Sequence, residues 1–189
     1  AEAAGSPARR SAQTALATIL DALVRLLAPV LTFTCEEVWQ FMSEPARGGA
    51  VSVQLAGWPE IDVPAERADE LRAAYSAVLE AREAVTAALE AERAAGTIGK
   101  SQEASVAIVA PPLLAVHLDA RGAAVLAEAF IVSSVAVSAS DDAEAVTVVV
   151  TRSDGAKCAR CWNHRSDVGA DAAVPDLCGR CASVIAEAG

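Results

Sequence analysis

The spacing of apolar positions divides this chain into a helical first half and a mixed second half. Between residues 11 and 28, Leu16, Ile19, Leu20, Leu23 and Leu27 recur at i, i+3, i+4, i+7 and i+11, the spacing that places one apolar stripe along a helix. Ala28-Pro29 should break or kink that helix. Thr34-Cys-Glu-Glu37 reads as a capping box, with Thr34 accepting from the Glu37 backbone N–H, and predicts a second helix running to about Met42. Residues 43–64 are rich in Gly and Pro and predict an irregular connection; within it Val51-Ser-Val-Gln-Leu55 alternates briefly, and Trp58 is expected to plug against the helices. The segment 65–95 is the clearest helix, with Leu71, Tyr75, Val78, Val85 and Leu89 on one stripe and Gly96 as its C-cap.

Beyond Gly96 the period changes. Alternation over 104–109, 130–137 and 145–151 predicts strands. Residues 112–128 read as helix, in two pieces across Arg121-Gly122. A turn at Ser153-Asp154-Gly155 then leads into a Cys-rich tail. The expected class is therefore α+β, in three parts: a helical bundle over 1–96, a small mixed α/β unit over 97–152 and a ribbon over 153–189.

The tail carries the most specific chemistry. Cys158-Ala-Arg-Cys161 and Cys178-Gly-Arg-Cys181 form two Cys-x-x-Cys turns separated by sixteen residues, the pattern of a structural zinc site. Each turn can aim two sulfurs at one point about 2.3 Å away, and four thiolates close a tetrahedral Zn²⁺ without leaving a position for chemistry. Gly179 sits inside the second turn, where backbone and metal approach closely. Two disulfides would require an oxidising compartment. The start Ala1-Glu2-Ala3-Ala4-Gly5 has no basic-then-apolar leader, so a cytoplasmic location is expected. His164 could replace a cysteine ligand or lie at the polar rim, and Cys35 reads as a small buried apolar residue.

Composition narrows the partners. The net charge of −10 opposes nucleic-acid binding over the whole surface. The charge is uneven, though: residues 1–150 hold 10 Lys/Arg against 20 Asp/Glu, whereas 151–189 hold 5 of each, with Arg152, Lys157, Arg160, Arg165 and Arg180 around the cysteine turns. Polyanion contact should be local to the ribbon. The longest apolar stretch, Ala15 to Phe33, is interrupted by Asp21, Arg25 and Pro29, so no membrane span is expected. Gly99-Lys100-Ser101 imitates the end of a phosphate-binding loop, but position 94 is Ala rather than Gly and a helix precedes it instead of a strand; a helix-to-strand turn is the better reading.

Three separated stretches resemble one family. Leu26-Leu-Ala-Pro-Val-Leu-Thr-Phe-Thr-Cys-Glu-Glu-Val-Trp-Gln40 is similar to the anticodon-binding helices of class I aminoacyl-tRNA synthetases. Ser52-Val-Gln-Leu-Ala-Gly-Trp-Pro59, Val78-Leu-Glu-Ala-Arg82 and Ile98-Gly-Lys-Ser-Gln-Glu-Ala104 resemble the continuation of those helices in isoleucyl-tRNA synthetases. Lys157-Cys-Ala-Arg-Cys-Trp162 with Leu177-Cys-Gly-Arg-Cys181 resembles the C-terminal zinc ribbon of the bacterial isoleucyl enzymes. Gln102 and Cys35 depart from the family, where Leu and Ala are common. The catalytic motifs of the class, a His-x-Gly-His element and a Lys-Met-Ser-Lys-Ser loop, have no counterpart here: the only histidines are His117 and His164.

The resemblance implies a C-terminal portion of such a synthetase, with no catalytic residue, inactive alone and with ATP used only in the absent catalytic domain. It implies one structural Zn²⁺ on Cys158, Cys161, Cys178 and Cys181. As partners it implies an isoleucine-accepting tRNA and the catalytic body of the same enzyme, with neither membrane nor DNA. Arg160 and Trp162 take the family's anticodon-contacting role, and Lys157, Arg165 and Arg180 are candidate phosphate contacts. Trp162 could instead cover the ribbon's small core. Two other classes stay open: a DNA-repair glycosylase of the formamidopyrimidine type, which shares such a zinc finger but needs an N-terminal Pro-Glu, and a zinc ribbon that docks on protein with no tRNA preference.

Overall fold

The structure is a computed structural model that describes residues 2–60 and 65–187; the end of the expected irregular connection, 61–64, lies outside the described residues. The chain is α+β and falls into two compact units, residues 2–64 and 65–189. No described helix is long and apolar enough to cross a membrane.

The first unit is built on α1 (Pro7–Leu27), α2 (Thr32–Phe41) and the short α3 (Glu44–Arg47). Helix α1 starts earlier than its leucine period suggests, because Ser6 caps it by accepting from the Arg9 N–H at 3.2 Å and Pro7 supplies a preset φ at the first position. The capping box expected at Thr34–Glu37 does not form. Helix α2 opens three residues earlier, with Leu31 at its N-cap, so Thr34 and Glu37 lie within the helix. The neighbouring Glu36 acts instead, accepting from Ser52 Oγ at 2.7 Å and from the Val53 N–H at 3.2 Å. That tie precedes a single 3₁₀ turn over Val53–Leu55, of which only Val53 is buried.

Val24, Ala28, Cys35, Trp39 and Val53 form this unit's core. The buried indole is Trp39, whose N–H donates to the Ala50 carbonyl at 3.0 Å. Trp58, expected to play that part, is 76% exposed. The predicted stripe on α1 is exposed too, from Leu27 at 40% to Leu16 at 66%. So small a unit lacks the mass to cover a two-sided apolar helix, and the side carrying Val24 and Ala28 is the one that packs.

The second unit opens with α4 (Ala65–Ala94), thirty residues or about 45 Å of helix. Gly96, at φ 78°, ends it in a Schellman arrangement: Thr97 N–H donates to the Glu92 carbonyl and Gly96 N–H to that of Arg93. Next come β1 (Ala104–Ala110), α5 (Pro112–Asp119), α6 (Ala123–Phe130), β2 (Ser134–Ala139) and β3 (Thr147–Arg152). The sheet order is β2-β1-β3, with β1 parallel to β2 and antiparallel to β3. Alternation on β1 buries Ala104, Val106, Ile108 and Ala110. Register places Val135, Val106 and Val150 in one row across the sheet, the cross-strand contact that β-branched residues favour.

Two expectations change here. The strand expected from Phe130 begins at Ser134, because Phe130 closes α6 as a buried residue and Ile131 takes the left-handed cap at φ 59°. The division expected near Gly96 falls instead between 64 and 65. Ala77, Val78, Ala81, Val85 and Leu89 of α4 share one apolar cluster with Ile98, the sheet, and Leu118, Leu126 and Phe130 of α5 and α6. Leu71 and Tyr75, at the other end of its predicted stripe, stay 43% and 44% exposed.

The tail contains β4 (Ala156–Lys157), β5 (His164–Arg165) and α7 (Gly179–Ala186). Gly155 is obligatory before β4, since a Cβ there would lie 2.5 Å from the Arg165 backbone nitrogen. Ser133 ties this tail to the sheet: its hydroxyl donates to the Gln102 carbonyl at 2.5 Å and its oxygen accepts from the His164 N–H at 2.7 Å.

Candidate metal centre and nucleic-acid interface

The two Cys-x-x-Cys turns converge by different means. In the first, Trp162 N–H donates to the Cys158 carbonyl at 3.0 Å and Cys158 N–H to that of Asn163 at 3.0 Å, folding 158–163 into a tight knuckle. The second is the start of α7, with Cys178 as N-cap and Cys181 in the first turn, where the helix end favours negative sulfur. Gly179 is needed less for the metal than for Asp167: its N–H donates to Asp167 Oδ2 at 3.1 Å, and a Cβ would crowd that same oxygen. Asp167 also accepts from Arg165 Nε at 3.2 Å. Partial burial works against the Asp167 carboxylate, but the Gly179 N–H and the Arg165 guanidinium outweigh it and hold its pKa below the usual 3.8.

The four sulfurs of Cys158, Cys161, Cys178 and Cys181 all lie within 4.8 Å of one another, and Cys161 Sγ is 3.8 Å from Cys178 Sγ. A tetrahedron with bonds of about 2.3 Å has edges of about 3.8 Å, so the donor set fits Zn²⁺. No disulfide joins them. Cys158, Cys178 and Cys181 are fully buried. Burial pushes the Cys158 thiol up, but the N–H groups of Cys161, Cys178 and Arg160 outweigh it and bring its pKa to about 6. Burial pushes Cys178 up to about 12, opposed by the Cys181 N–H and reinforced by the three neighbouring sulfurs. One sulfur ionises readily because backbone N–H groups point at it, and another resists because burial disfavours its charge. A dication supplies the compensation this set lacks. His164 is not among the ligating group; its Nδ1 faces the Gly155 carbonyl at 3.1 Å.

The cationic candidates separate by what they touch. Arg160 Nη1 donates to Cys181 Sγ at 3.8 Å. Arg180 reaches Glu128 of α6 at 3.3 Å; burial counts against its charge, but the sulfurs of Cys161 and Cys181 and the Glu128 carboxylate raise its pKa on balance. Arg165 is engaged by Asp167. Lys157 is exposed on β4, its Nζ 5.7 Å from the centre of the Trp162 ring. Trp162 is 57% exposed and has a φ of 65°, a left-handed conformation that a bulky side chain adopts only at a cost.

Beside Trp162 a recess of about 60 Å³ is lined by Lys100, Gln102, Glu103, Lys157, Trp162 and His164. The Gly99-Lys100-Ser101 turn thus forms one wall of it. That turn holds a carboxylate, not a phosphate: Gly99 N–H donates to Glu103 Oε2 at 3.1 Å, a bond that, more than the opposing burial, draws the Glu103 pKa below its usual 4.5. Asp167, Ser133 and the Gln102 wall were not identified from the sequence as parts of the site. Their partners lie 12 to 31 residues away along the chain, and no short motif encodes such pairings.

A four-sulfur set that fits one metal ion thus lies in the same ribbon as an exposed indole with Lys157 beside its ring. Residues 1–108 match the family model for the anticodon-binding domain of tRNA ligase, and residues 155–184 match that for a zinc finger found in FPG and IleRS. The chain belongs to the anticodon-binding domain family of tRNA ligases. The first match crosses the division between the two compact units and ends within β1. Among curated relatives, an isoleucine–tRNA ligase of Neisseria gonorrhoeae (strain NCCP11945) is 44% identical over 180 residues, covering 95% of this chain and 19% of the relative. Those of Teredinibacter turnerae and Nitratidesulfovibrio vulgaris are 41% and 39% identical, covering 94% and 100% of this chain and 20% and 21% of theirs. The chain therefore spans about a fifth of the length of these relatives.

Proposed function

We propose that this chain is the anticodon-recognising C-terminal part of an isoleucine–tRNA ligase, working in the cytoplasm on isoleucine-accepting tRNA beside the catalytic body of the same enzyme. That body would use ATP to join isoleucine to the tRNA; this chain, without the class's His-x-Gly-His element or Lys-Met-Ser-Lys-Ser loop, would be inactive alone. The observation that carries the reading is Trp162. An indole held at a positive φ and 57% exposed serves the ribbon's own packing poorly, since glycine would adopt that backbone freely. It is well suited to stacking an unpaired base, a contact of about 1–3 kcal/mol. Zinc fixes the knuckle that presents it, and Lys157, its Nζ 5.7 Å from the ring centre, brings positive charge to the same face, where phosphates would be met. Arg160, which donates to Cys181 Sγ, lies in the same knuckle and shares the anticodon-contacting role. Arg165 and Arg180, each with a carboxylate partner, are better placed to brace the ribbon.

The relatives' activity and the anticodon-binding match over 1–108 favour tRNA over the glycosylase alternative. Docking on protein with no tRNA preference keeps a place as a second reading because the α1 stripe from Leu16 to Leu27 lies exposed, and such a face suits packing against another protein surface. The test is tRNA affinity of Trp162→Ala with zinc content and helicity checked. The proposal expects affinity to fall at least about fivefold with both checks unchanged. Unaltered affinity would remove Trp162 from the interface.

A further inference from the structure

The recess beside Trp162 is too small for a nucleoside, yet about 60 Å³ accommodates the edge of a base or a few waters. Its walls are largely polar, and two of their side chains are already engaged. Glu103 accepts from Gly99 and faces Arg152 at 3.6 Å. His164 Nδ1 faces the Gly155 carbonyl, so in the neutral ring it must donate there, leaving Nε2 an acceptor alone. Gln102 differs. Its backbone is pinned, because its carbonyl accepts from the Ser133 hydroxyl that also holds the His164 N–H. Its half-buried side-chain amide makes no hydrogen bond among the described residues. A donor and an acceptor on one rigidly based side chain therefore face a slot next to an exposed aromatic plate.

We propose that Gln102, which stands where the family commonly has Leu, is a specificity-determining residue particular to this chain, reading the edge of the unpaired tRNA base stacked on Trp162. This rests on the proposed function above. An amide pairs two-pronged with a base edge that presents an adjacent donor and acceptor, as adenine does, and bases splayed from RNA loops are commonly read on such edges. The division of labour is chemical: the indole takes any base by its face and contributes affinity, whereas the amide takes one edge and contributes choice. Lys100 and Lys157, on the same recess, supply charge without discriminating between bases.

The experiment measures Kd for the whole zinc-loaded chain with an isoleucine-accepting tRNA and with versions carrying one anticodon nucleotide replaced at a time. Wild type, Gln102→Leu and Trp162→Ala are compared. Leucine keeps most of the bulk and removes the amide. The wild type should lose about tenfold at one position. Gln102→Leu should lose less than about threefold there while binding the unchanged tRNA with only a modest deficit. Trp162→Ala should weaken binding to every version alike. If Gln102→Leu keeps the full penalty, or if wild type shows no penalty at any position, Gln102 does not read a base. If in addition Trp162→Ala binds as wild type does, or no tRNA binds at all, the anticodon reading itself falls.

Discussion

The ribbon and the sheet unit beside it are ordered by different forces. The sheet unit buries a continuous apolar cluster running from α4 through β1 to α5 and α6, with Ile108, Leu118 and Leu126 at 1% exposure or less. In the ribbon the buried cluster consists of three cysteines, with Cys161, Val168 and Leu177 packed partly against them. Remove the sulfur–metal bonds and almost nothing there is left to exclude water. A module this small obtains rigidity from coordination because apolar area alone cannot provide it, and the choice leaves its surface free. Apolar cores need their large side chains inside; the ribbon can place its one indole outside.

The contrast breaks most completely by taking away a ligand. Cys178→Ser, or chelation of wild type, should abolish the ribbon fold, since structural zinc in such modules contributes about 10–16 kcal/mol of apparent binding energy. Helicity from α4, α5 and α6 should persist. The checks are zinc stoichiometry and amide NMR, with lost dispersion confined to 156–187. A global collapse would mean that the two regions share one cooperative core.

The converse change is smaller. Leu126→Ala, emptying a fully buried position in the sheet unit, should cost about 2–5 kcal/mol in denaturant unfolding while zinc remains bound. In the helical unit, Trp39→Ala should cost about 3–5 kcal/mol, for it removes both the core's largest side chain and the hydrogen bond to Ala50. A like change at the exposed Leu16 should lie within about 0.5 kcal/mol.

Trp162→Gly sharpens the comparison. If the indole were part of the ribbon's interior, its loss would destabilise. We expect thermal stability and zinc content unchanged or slightly improved, because glycine relieves the backbone at φ 65°, together with loss of tRNA binding. Ile131→Gly is the control in the apolar-held region: the same relief at φ 59° should raise stability by roughly 1 kcal/mol and leave tRNA binding alone.

The gentlest probe is pH. The Ser52 hydroxyl foremost, with Gln40 and the Val53 N–H, outweighs the burial of Glu36 and lowers its pKa from 4.5. A carboxylate lowered on folding contributes stability above its unfolded value, and the contribution is lost as pH falls through the folded value. The helical unit should therefore weaken below about pH 4.5, and Glu36→Gln should flatten that slope. An unchanged acid profile would deny Glu36 its role in holding 51–55.

How much could be read from residues alone follows the same division. The zinc centre was legible because two Cys-x-x-Cys turns carry their geometry in four adjacent positions each. Strand β1 was legible because alternation over seven residues reports a sheet with one buried face. Helix α4 was legible as a helix but not as a partner, since a 3.6-residue period names the buried side without naming what covers it. The Leu16–Leu27 stripe misled for that reason: it is an apolar face left exposed among the described residues. Trp39 rather than Trp58 fills the helical core, and its indole N–H reaches the Ala50 carbonyl, a pairing that no local pattern announces. The Trp162 recess needed Lys100, Lys157 and His164 brought together by the Ser133 hydroxyl, which no spacing rule encodes.

The central claim is that zinc holds a surface which selects one tRNA. The most direct measurement incubates the zinc-loaded chain with total bacterial tRNA, recovers and sequences what binds, and repeats this with a chelated sample. The account predicts enrichment of isoleucine-accepting tRNA that disappears on chelation. Equal recovery of all tRNAs, or enrichment that survives removal of the metal, would contradict it.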